Sequence, residues 1–566
     1  MKKIHYISLF VLLITFIGCS EDFLERKDLY RQLDENFYSN PEQISQALTA
    51  AYTKLTNNAG ANNYNLVLSI MSDDRLGGGG INDLVPHDAD EFTNSAEDTW
   101  NELWGTQYEG IFRTNMIINR FDQAEYDNEQ DRNRDLGEAY FLRGYFYYRL
   151  AVLFGTVPVI TDPSPVNLPR ATPEEIFAQI GSDLKMAIEL MPNIPWDHPD
   201  NNQAERNGHA TKWAAEGIMA RAFLFYTGFY GQTTMPLVDG GSITSAEVIG
   251  WLQDCIQNSG HALLNDPRNL WTYTADLVAP EYSYVADNGL LFAGDGNEEI
   301  VFAIKYASYS DWNYPGRTAY SNQAILYQGL RISSPDVMSG CLPFGDGWGF
   351  APVNPYLWDS FEPGDVRQQG SILSLVDGLP EEQSIADAYV LGGEMGDPMY
   401  QETGYWSKKG LPTVVLQGLN IRGYYYVLYE GNQSMQHWNM QDDPILRYAD
   451  VLLMAAELLG PGAGDVHLNA VRSRAGLGNA SATLENIKRE RRHELCFEGL
   501  RYHDLLRWGD ADAAFAEASG FTVYTAGVPE DSPYTNHYNP ERKFLKIPES
   551  QIRLSDGVLV QDPGWQ

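Results

Sequence analysis

Cysteine is scarce in this chain of 566 residues, which contains only four, at positions 19, 255, 341 and 496. They form no CxxC pair and have no regular spacing, so the sequence favours neither a disulfide framework nor a structural zinc site. Basic residues are also few, with 39 Lys and Arg against 76 Asp and Glu and a net charge of −37. A surface that binds phosphates must be positively charged, so this balance argues against nucleic acid as a partner.

Long apolar runs are missing after the N-terminus. The closest candidate, residues 445–459, is interrupted by Arg447, Asp450 and Glu457, so no membrane-spanning helix is expected there. Hydrophobic residues nevertheless make up 43% of the chain and aromatic residues 12%. This composition is sufficient for a large folded core.

The N-terminus carries a targeting signal. A basic start precedes a short apolar stretch over residues 9–17, which ends at Gly18 and Cys19. This pattern is typical of a lipoprotein signal peptide, although a secretory signal that ends near a cysteine is the alternative. We expect residues 1–18 to be removed, Cys19 to be lipidated, and residues 19–40 to tether the folded body to a membrane.

Apolar residues at three- and four-residue spacing predict four pairs of helices. The pairs are 41–55 with 99–121, 135–154 with 172–191, 211–226 with 246–263, and 444–459 with 465–475, the last continued by 484–508. Small residues within 136–144 and 214–222 occupy positions where packed helices approach closely, which resembles the tetratricopeptide repeat. The predicted fold is therefore mostly α, with four tetratricopeptide-like helix pairs forming a superhelical scaffold.

The helical pattern divides the chain into regions. The first three pairs occupy residues 41–263, and the fourth belongs to a C-terminal region at 442–566. Between them, residues 264–441 hold six of the 13 tryptophans and are punctuated by glycine and proline. We expect this segment to be an irregular, loop-rich insertion with short strands near 299–306 and 423–428, and to carry the ligand-binding face.

Several segments resemble the motifs of one protein family and follow one another in that family's order. They are CSEDFLE (19–25), EAYFLRGYFYYRL (138–150) with FGTVP (154–158), PILRYADVLLMAAE (444–457), NAVRSRAGL (469–477), RRHELCFEGLRYHDLLRWG (491–509), KIP (546–548) and QDPGW (561–565). The sequence is similar to SusD-like (RagB/SusD) outer-membrane lipoproteins. The resemblance implies surface display at the outer membrane through the Cys19 lipid, and a SusC-like TonB-dependent transporter as partner.

Signals for catalysis are weak. His493 and Glu494 begin like a zinc-protease motif, but Phe497 stands where the second histidine is needed. No G-x-S-x-G motif or phosphate-binding loop occurs. Charges on the last helices, such as Arg447 and Asp450, are interpreted as buried ion pairs that lock those helices rather than as a catalytic cluster. We therefore expect no enzyme activity, and a surface glycoside hydrolase is the least favoured alternative.

Calcium is a possibility that the sequence raises without supporting it. Acidic and amide residues fall at positions 1, 3, 5, 7, 9 and 12 of an EF-hand-like loop: Asp127, Glu129, Asp131, Asn133, Asp135 and Glu138. Arg132 occupies the position that requires glycine. The competing interpretation is that these are polar residues preceding a helix that begins near Asp135. No cofactor is expected.

Carbohydrate binding fits the composition of the insertion better. A sugar ring packs its C–H face on an aromatic side chain, and its hydroxyls hydrogen-bond to polar groups. Polar and turn-forming residues surround Trp312, Tyr309, Tyr314 and Arg317, and three glycines surround Trp348. We predict that these five residues contact the ligand. The alternative for each tryptophan is a lid over a small satellite core.

Asp73 and Asp74 are further candidate ligand contacts. They follow the first helix and precede four glycines. SusD-like proteins often bring residues of this connection to the binding face. The alternative is that the two aspartates cap the helix end and are solvated.

The predicted function is capture of a glycan for a SusC-like transporter, with a peptide or other nutrient as the alternative ligand. The negative net charge favours a neutral polysaccharide over a polyuronate, because like charges repel.

Overall fold

The computed structural model describes residues 37–56, 63–163, 167–201, 206–307, 321–332, 334–394, 397–424, 439–530 and 538–566. Five of the residues predicted to have a functional role lie outside the described residues. They are Cys19, Tyr309, Trp312, Tyr314 and Arg317.

Helices dominate the described residues, which confirms the predicted fold class. Up to residue 263 they are α1 (Pro41–Tyr52), α2 (Tyr64–Ile70), α3 (Leu84–Asp90), α4 (Asn101–Arg120), α5 (Glu129–Phe154), α6 (Pro173–Leu190), α7 (Lys212–Phe229) and α8 (Ser245–Asn258). The insertion contains α9 (Ser283–Asn288), α10 (Gln323–Gln328), α11 (Pro335–Gly340), α12 (Pro355–Ser360), α13 (Arg367–Ser371) and α14 (Gln383–Ala388). The C-terminal region contains α15 (Tyr448–Leu459), α16 (Asp465–Arg474), α17 (Leu484–Leu495), α18 (Arg501–Trp508), α19 (Ala511–Glu517) and α20 (Glu549–Leu554). Among the described helices, none has the length and apolar character needed to cross a membrane.

Local sequence signals set several of the helix starts. The Asn40 side chain accepts a hydrogen bond from the Gln43 N–H at 3.0 Å, and a proline occupies the first turn of α1. Thr172 and Glu175 form a reciprocal capping box at the start of α6. These caps satisfy backbone N–H groups that have no partner within the helix, and they confirm the starts predicted from the sequence.

The four predicted helix pairs form. Helix α1 packs on α4, α5 on α6, α7 on α8, and α15 on α16. Successive pairs also stack, because α4 contacts α5, α6 contacts α7, and α8 contacts α15. The sequence did not predict α2 and α3, two short helices between α1 and α4. All residues of α2 except Asn65 are buried. The helix therefore lacks the alternation of apolar and polar faces by which an amphipathic helix is predicted from sequence.

Small residues mark the closest helix contacts, as the sequence predicts. A Cβ atom on Gly144 in α5 would lie 3.1 Å from Asp183 and Leu184 of α6. A Cβ atom on Gly217 in α7 would lie 2.2 Å from Leu446. These glycines allow neighbouring elements to approach more closely than any larger residue would permit.

The strands form six two-stranded antiparallel sheets in the described residues. They are β1 (Thr234–Pro236) with β2 (Ser242–Thr244), β3 (Ile300–Ile304) with β10 (Asp443–Arg447), β4 (Ile372–Ser374) with β7 (Tyr405–Ser407), β5 (Gly393–Glu394) with β6 (Asp397–Pro398), β8 (Val414–Gln417) with β9 (Asn420–Gly423), and β11 (Val523–Thr525) with β12 (Val528–Glu530). Strand β3 confirms the prediction at 299–306. For the predicted strand at 423–428, the described residues are Gly423, which ends β9, and Tyr424, which is not in a strand; residues 425–428 lie outside the described residues.

The core has one main body and smaller satellites. The main cluster surrounds α5, in which Phe141, Leu142 and Phe146 have no exposed surface. Separate clusters lie in the insertion, around Trp406 and around Trp358. The insertion therefore has its own apolar centres and does not simply cover the scaffold.

Buried ion pairs join the insertion to the C-terminal helices, which confirms the predicted lock. Arg447 Nη1 lies 2.7 Å from Glu299 and 2.9 Å from Glu494, and its Nη2 lies 2.8 Å from Glu498. Further pairs extend this cluster, which we call the Arg447 network: Glu299, Arg367, Lys409, Arg447, Arg474, Glu490, Glu494 and Glu498. Such a network is stable only if every buried charge is paired.

A second part of the lock joins the scaffold helices. The Asp450 carboxylate lies 2.5 Å from Arg491 and 2.7 Å from Arg221. Burial raises the pKa of Asp450, but the two arginines outweigh this effect and lower it to about 2. Glu457 pairs with Arg507 instead of with the basic residues near position 490. These pairs connect α15 with α7, α17 and α18.

Candidate ligand-binding face

Trp348 lies on a loop segment whose backbone is fixed on one side by α10 and the residues after it. The Trp348 N–H donates to the Leu326 carbonyl at 2.9 Å. The N–H groups of Gly349 and Phe350 donate to the carbonyls of Gly329 and Tyr327 at 2.8 Å each. The segment is therefore rigid, and the half-buried Trp348 indole is presented from a fixed backbone.

The four-glycine loop at residues 77–80 fixes the other side. The Gly79 N–H donates to the Gly349 carbonyl at 2.7 Å, and the Ala351 N–H donates to the Gly77 carbonyl at 3.0 Å. A Cβ atom on Gly79 would lie only 2.3 Å from the Phe350 ring. The glycines are therefore required by close backbone contact between two loops.

The buried rings of Tyr327 and Phe350 form an aromatic group with the Trp348 indole. The Tyr327 ring packs edge-on against Trp348, with 4.8 Å between centroids and 89° between planes. It stacks on Phe350 at 5.2 Å and 25°. Tyr327 and Phe350 are buried, which leaves Trp348 as the accessible aromatic surface of this group.

Carboxylates lie close enough to this aromatic group to act on it electrostatically. Asp83 Oδ2 accepts a hydrogen bond from the Gly80 N–H at 2.7 Å. Burial raises the pKa of Tyr327 to about 12, and the charges of Glu102 and Asp83 add to the shift. Asp346, two residues before Trp348 in the sequence, accepts from the Ile332 N–H at 2.9 Å. We call this region the Trp348 face, defined by Asp83, Glu102, Tyr327, Asp346, Trp348 and Phe350.

Asp73 and Asp74 do not reach this face. Both side chains are buried, with 2% and 1% of their surface exposed. Asp73 pairs with Arg501 at 2.8 Å, and Asp74 pairs with Arg492 at 2.7 Å. Burial raises the pKa of Asp73, but Arg501 and Arg492 overcome this effect and lower it to about 2. Arginines pair with both carboxylates, and Asp74 Oδ2 is buried without a hydrogen-bond partner among the described residues. The burial of both side chains argues against the predicted ligand contacts.

The EF-hand-like segment does not form a loop. Helix α5 begins at Glu129, so most of the candidate calcium ligands lie along its first turns. Asp135 accepts from the Tyr126 hydroxyl at 2.9 Å, and Glu138 lies 2.7 Å from His209. In the described part of the chain, no three His, Cys, Asp or Glu side chains are grouped so that they could hold a metal ion. The helix begins six residues before the predicted start near Asp135, so the segment forms the first turns of the helix and does not lead into it.

Two family models match this chain and together span most of it. Residues 22–224 match a SusD-like model described as "Starch-binding associating with outer membrane". Residues 298–565 match the model of the SusD family, SusD_RagB. The chain belongs to the SusD/RagB family. This confirms the resemblance drawn from its motifs.

Curated relatives extend the match of this SusD/RagB chain to its full length. A SusD-like protein of Bacteroides ovatus is 26% identical over 516 residues, covering 88% of this chain and 80% of the relative. SusD-like protein P2 of Formosa agariphila is 24% identical over 594 residues, with complete coverage of both chains. The similarity therefore includes both the helical regions and the insertion.

Solved structures show the same fold. A laminarin-binding SusD-like protein has a TM-score of 0.71 and 25% identity, covering 93% of this chain and all of the other. Surface glycan-binding protein A from Bacteroides thetaiotaomicron has a TM-score of 0.71 and 22% identity, with the same coverage. The mostly helical architecture is therefore that of the SusD/RagB family.

The sequence identified only part of the Trp348 face of this SusD/RagB chain. Trp348 was predicted from its glycine-rich surroundings, whereas Tyr327, Asp83 and Glu102 were missed. These three come from separate elements that contact one another only in the fold. The local sequence gives one indication that two segments pack closely. Glycines occur at position 329, just after Tyr327, and at positions 345, 347 and 349 around Trp348.

Proposed function

We propose that this SusD/RagB protein is a non-catalytic glycan-binding lipoprotein of the cell surface, which captures a neutral oligosaccharide or polysaccharide on the Trp348 face. The observation that carries the proposal is the partly exposed Trp348 indole on a backbone fixed from both sides. The laminarin-binding SusD-like protein of the same fold supports it, because laminarin is a neutral glucan.

The chemistry of the Trp348 face suits a neutral sugar. An indole packs against the C–H face of a pyranose ring, and carboxylates such as Asp83 and Glu102 accept hydrogen bonds from hydroxyls. The same carboxylates repel uronic acids and sulfated sugars. Trp312, Tyr309, Tyr314 and Arg317 belong to the proposed site as predicted from the sequence.

Titration calorimetry with laminarihexaose tests the proposal. We expect Trp348→Ala to weaken binding at least about fivefold, because stacking on one aromatic ring contributes roughly 1–3 kcal/mol. Trp251→Ala, which changes a half-buried tryptophan on α8, is the control and should leave affinity unchanged. Unaltered affinity in Trp348→Ala would contradict the assignment, and release of shorter oligosaccharides would indicate a hydrolase.

We further propose that Cys19 carries the lipid anchor and that the bound glycan passes to a SusC-like TonB-dependent transporter. The lipoprotein-type N-terminus and the outer-membrane association of the matching family model support this proposal. Cys19→Ala should move the folded protein from the membrane fraction to the soluble fraction. Purification from detergent-solubilised outer membranes should recover a large β-barrel with the wild-type protein, and repeated recovery without one would contradict the transporter role.

A further inference from the structure

A cavity of about 180 Å³ lies away from the Trp348 face, between the end of α1, the loop before α7 and the end of β3. Its volume corresponds to about a dozen water-sized groups at about 15 Å³ each, which is the size of one sugar unit. Its polar and aromatic lining includes Thr49, Tyr52, Thr56, Asn207, His209 and Lys305. None of the lining residues belongs to the Trp348 face.

Two aromatic rings form a fixed wall of this cavity. Tyr52 and His209 stack with 4.5 Å between centroids and 29° between planes. The Tyr52 hydroxyl donates to Glu138 Oε2 at 3.0 Å and accepts from the Ala210 N–H at 2.8 Å. The same Glu138 oxygen lies 2.7 Å from His209 Nδ1. Glu138 is buried and holds both rings in place, so the wall is formed before any ligand binds.

The polar groups of the cavity suit a ligand with several hydroxyls. His209 Nδ1 faces Glu138, so its Nε2 is the ring nitrogen left for a ligand. The hydroxyls of Thr49 and Thr56 donate to the helix carbonyls of Ser45 and Thr53 at 2.9 Å each, which leaves their lone pairs as acceptors. The exposed Asn207 side chain adds an amide that can both donate and accept.

The charges at the cavity are already paired. Lys305 forms an ion pair with Asp442. Burial lowers the pKa of His209, but the Glu138 charge and hydrogen bond outweigh it and raise the pKa above its usual value. Neither cation therefore needs an anionic ligand to balance it. An aromatic wall, hydroxyl-sized polar groups and paired charges together select a neutral polyhydroxylated ligand.

We propose that this cavity, the Tyr52–His209 cavity, is a second binding site for a neutral sugar unit. The proposal rests on the proposed function, since the ligand belongs to the same class as the glycan of the Trp348 face. Two sites on one chain can bind separate parts of a long polysaccharide. Once the first site is occupied, binding at the second site is intramolecular and occurs at a high effective concentration. The second site therefore raises avidity for polymers more than affinity for short oligosaccharides.

Saturation-transfer NMR with laminaribiose tests the second site in a Trp348→Ala background, where the first site is impaired. Thr49 is an exposed residue of α1, so Thr49→Trp should fill the cavity without disturbing the core. We expect the Trp348→Ala protein to retain transfer to laminaribiose, and the added Thr49→Trp change to reduce it at least fivefold. Thr49→Ser keeps the hydroxyl and leaves the cavity open, so it should retain the signal.

Equal signals from the Thr49→Trp and Thr49→Ser proteins would overturn the second site, as would no signal in the Trp348→Ala protein when the wild type gives one. The two proposals can also be separated. If Thr49→Trp abolishes the NMR signal while Trp348→Ala leaves the laminarihexaose affinity unchanged, the second site is supported and the Trp348 face is contradicted. No binding by the wild type would reject both. If Thr49→Trp lowers the melting temperature, Asn207→Trp blocks the cavity from the loop side and takes its place.

Discussion

The helical scaffold and the loop-rich insertion are held together by different kinds of interaction. The scaffold contains helices of up to 26 residues, such as α5, and three of its four pairs join consecutive helices; only α1 pairs with a helix, α4, that is separated from it by α2 and α3. In the described part of the insertion, no helix exceeds six residues, and β3 pairs with β10 from the C-terminal region. The scaffold is thus specified mainly by local periodicity, whereas the insertion depends on contacts between distant residues.

The Arg447 network is the strongest of these distant contacts. Glu299, Arg367 and Lys409 lie in the insertion, and each pairs with a residue of the C-terminal region. If the insertion depends on distant pairs, removal of one network member should cost far more than removal of an exposed ion pair. Four substitutions test this contrast, from the largest expected effect to the smallest.

Arg447→Met should lower the free energy of unfolding by about 3–5 kcal/mol, because Glu299, Glu494 and Glu498 would stay buried and each would lose one of its cationic partners. Methionine retains the apolar stem, so the change reports on the lost charge. Denaturant unfolding gives the free energy. The control is Arg553→Met, which removes an exposed pair with Glu97 and should cost less than about 1 kcal/mol. Equal costs would contradict the contrast.

Gly349→Ala should destabilise the protein by about 2–4 kcal/mol and weaken glycan binding. Gly349 has a φ of +76°, and a Cβ atom there would lie 1.8 Å from the Met399 side chain. The cost combines the left-handed backbone with overpacking, and the shift would displace the neighbouring Trp348. Gly364→Ala is the matched control, with a φ of +87° and open space around it. It should cost about 1 kcal/mol and leave binding intact.

The same contrast explains what the sequence could predict. Helix pairs and caps are visible as spacing and short motifs, so the four pairs and the starts at Pro41 and Pro173 are confirmed. Asp74 pairs with Arg492, which is 418 positions away, and nothing near Asp74 identifies that partner. Tyr327 remained unidentified for the same reason. Trp348 could be predicted because its own glycines indicate a loop that fixes it.

Glu216→Gln should stabilise the scaffold by about 1–3 kcal/mol at pH 8. Glu216 in α7 is fully buried, and burial raises its pKa to about 9. A raised pKa contributes stability below the ordinary value near 4.5, and this contribution is lost as the pH rises toward 9. The gain from glutamine should therefore shrink when unfolding is measured at pH 5. Glu189→Gln, at an exposed position of α6, is the control for the substitution itself.

Gly105→Ala has the smallest expected effect and the opposite sign from Gly349→Ala. Gly105 lies inside α4, and a Cβ atom there would have no neighbour within 4 Å. Alanine lowers the entropy of the unfolded chain and favours the helix, so the free energy of unfolding should rise by about 0.5–1 kcal/mol. A denaturant series with both variants compares the two regions directly. A loss of stability in Gly105→Ala would mean that a distant contact also constrains α4, and the contrast between scaffold and insertion would then fail at that helix.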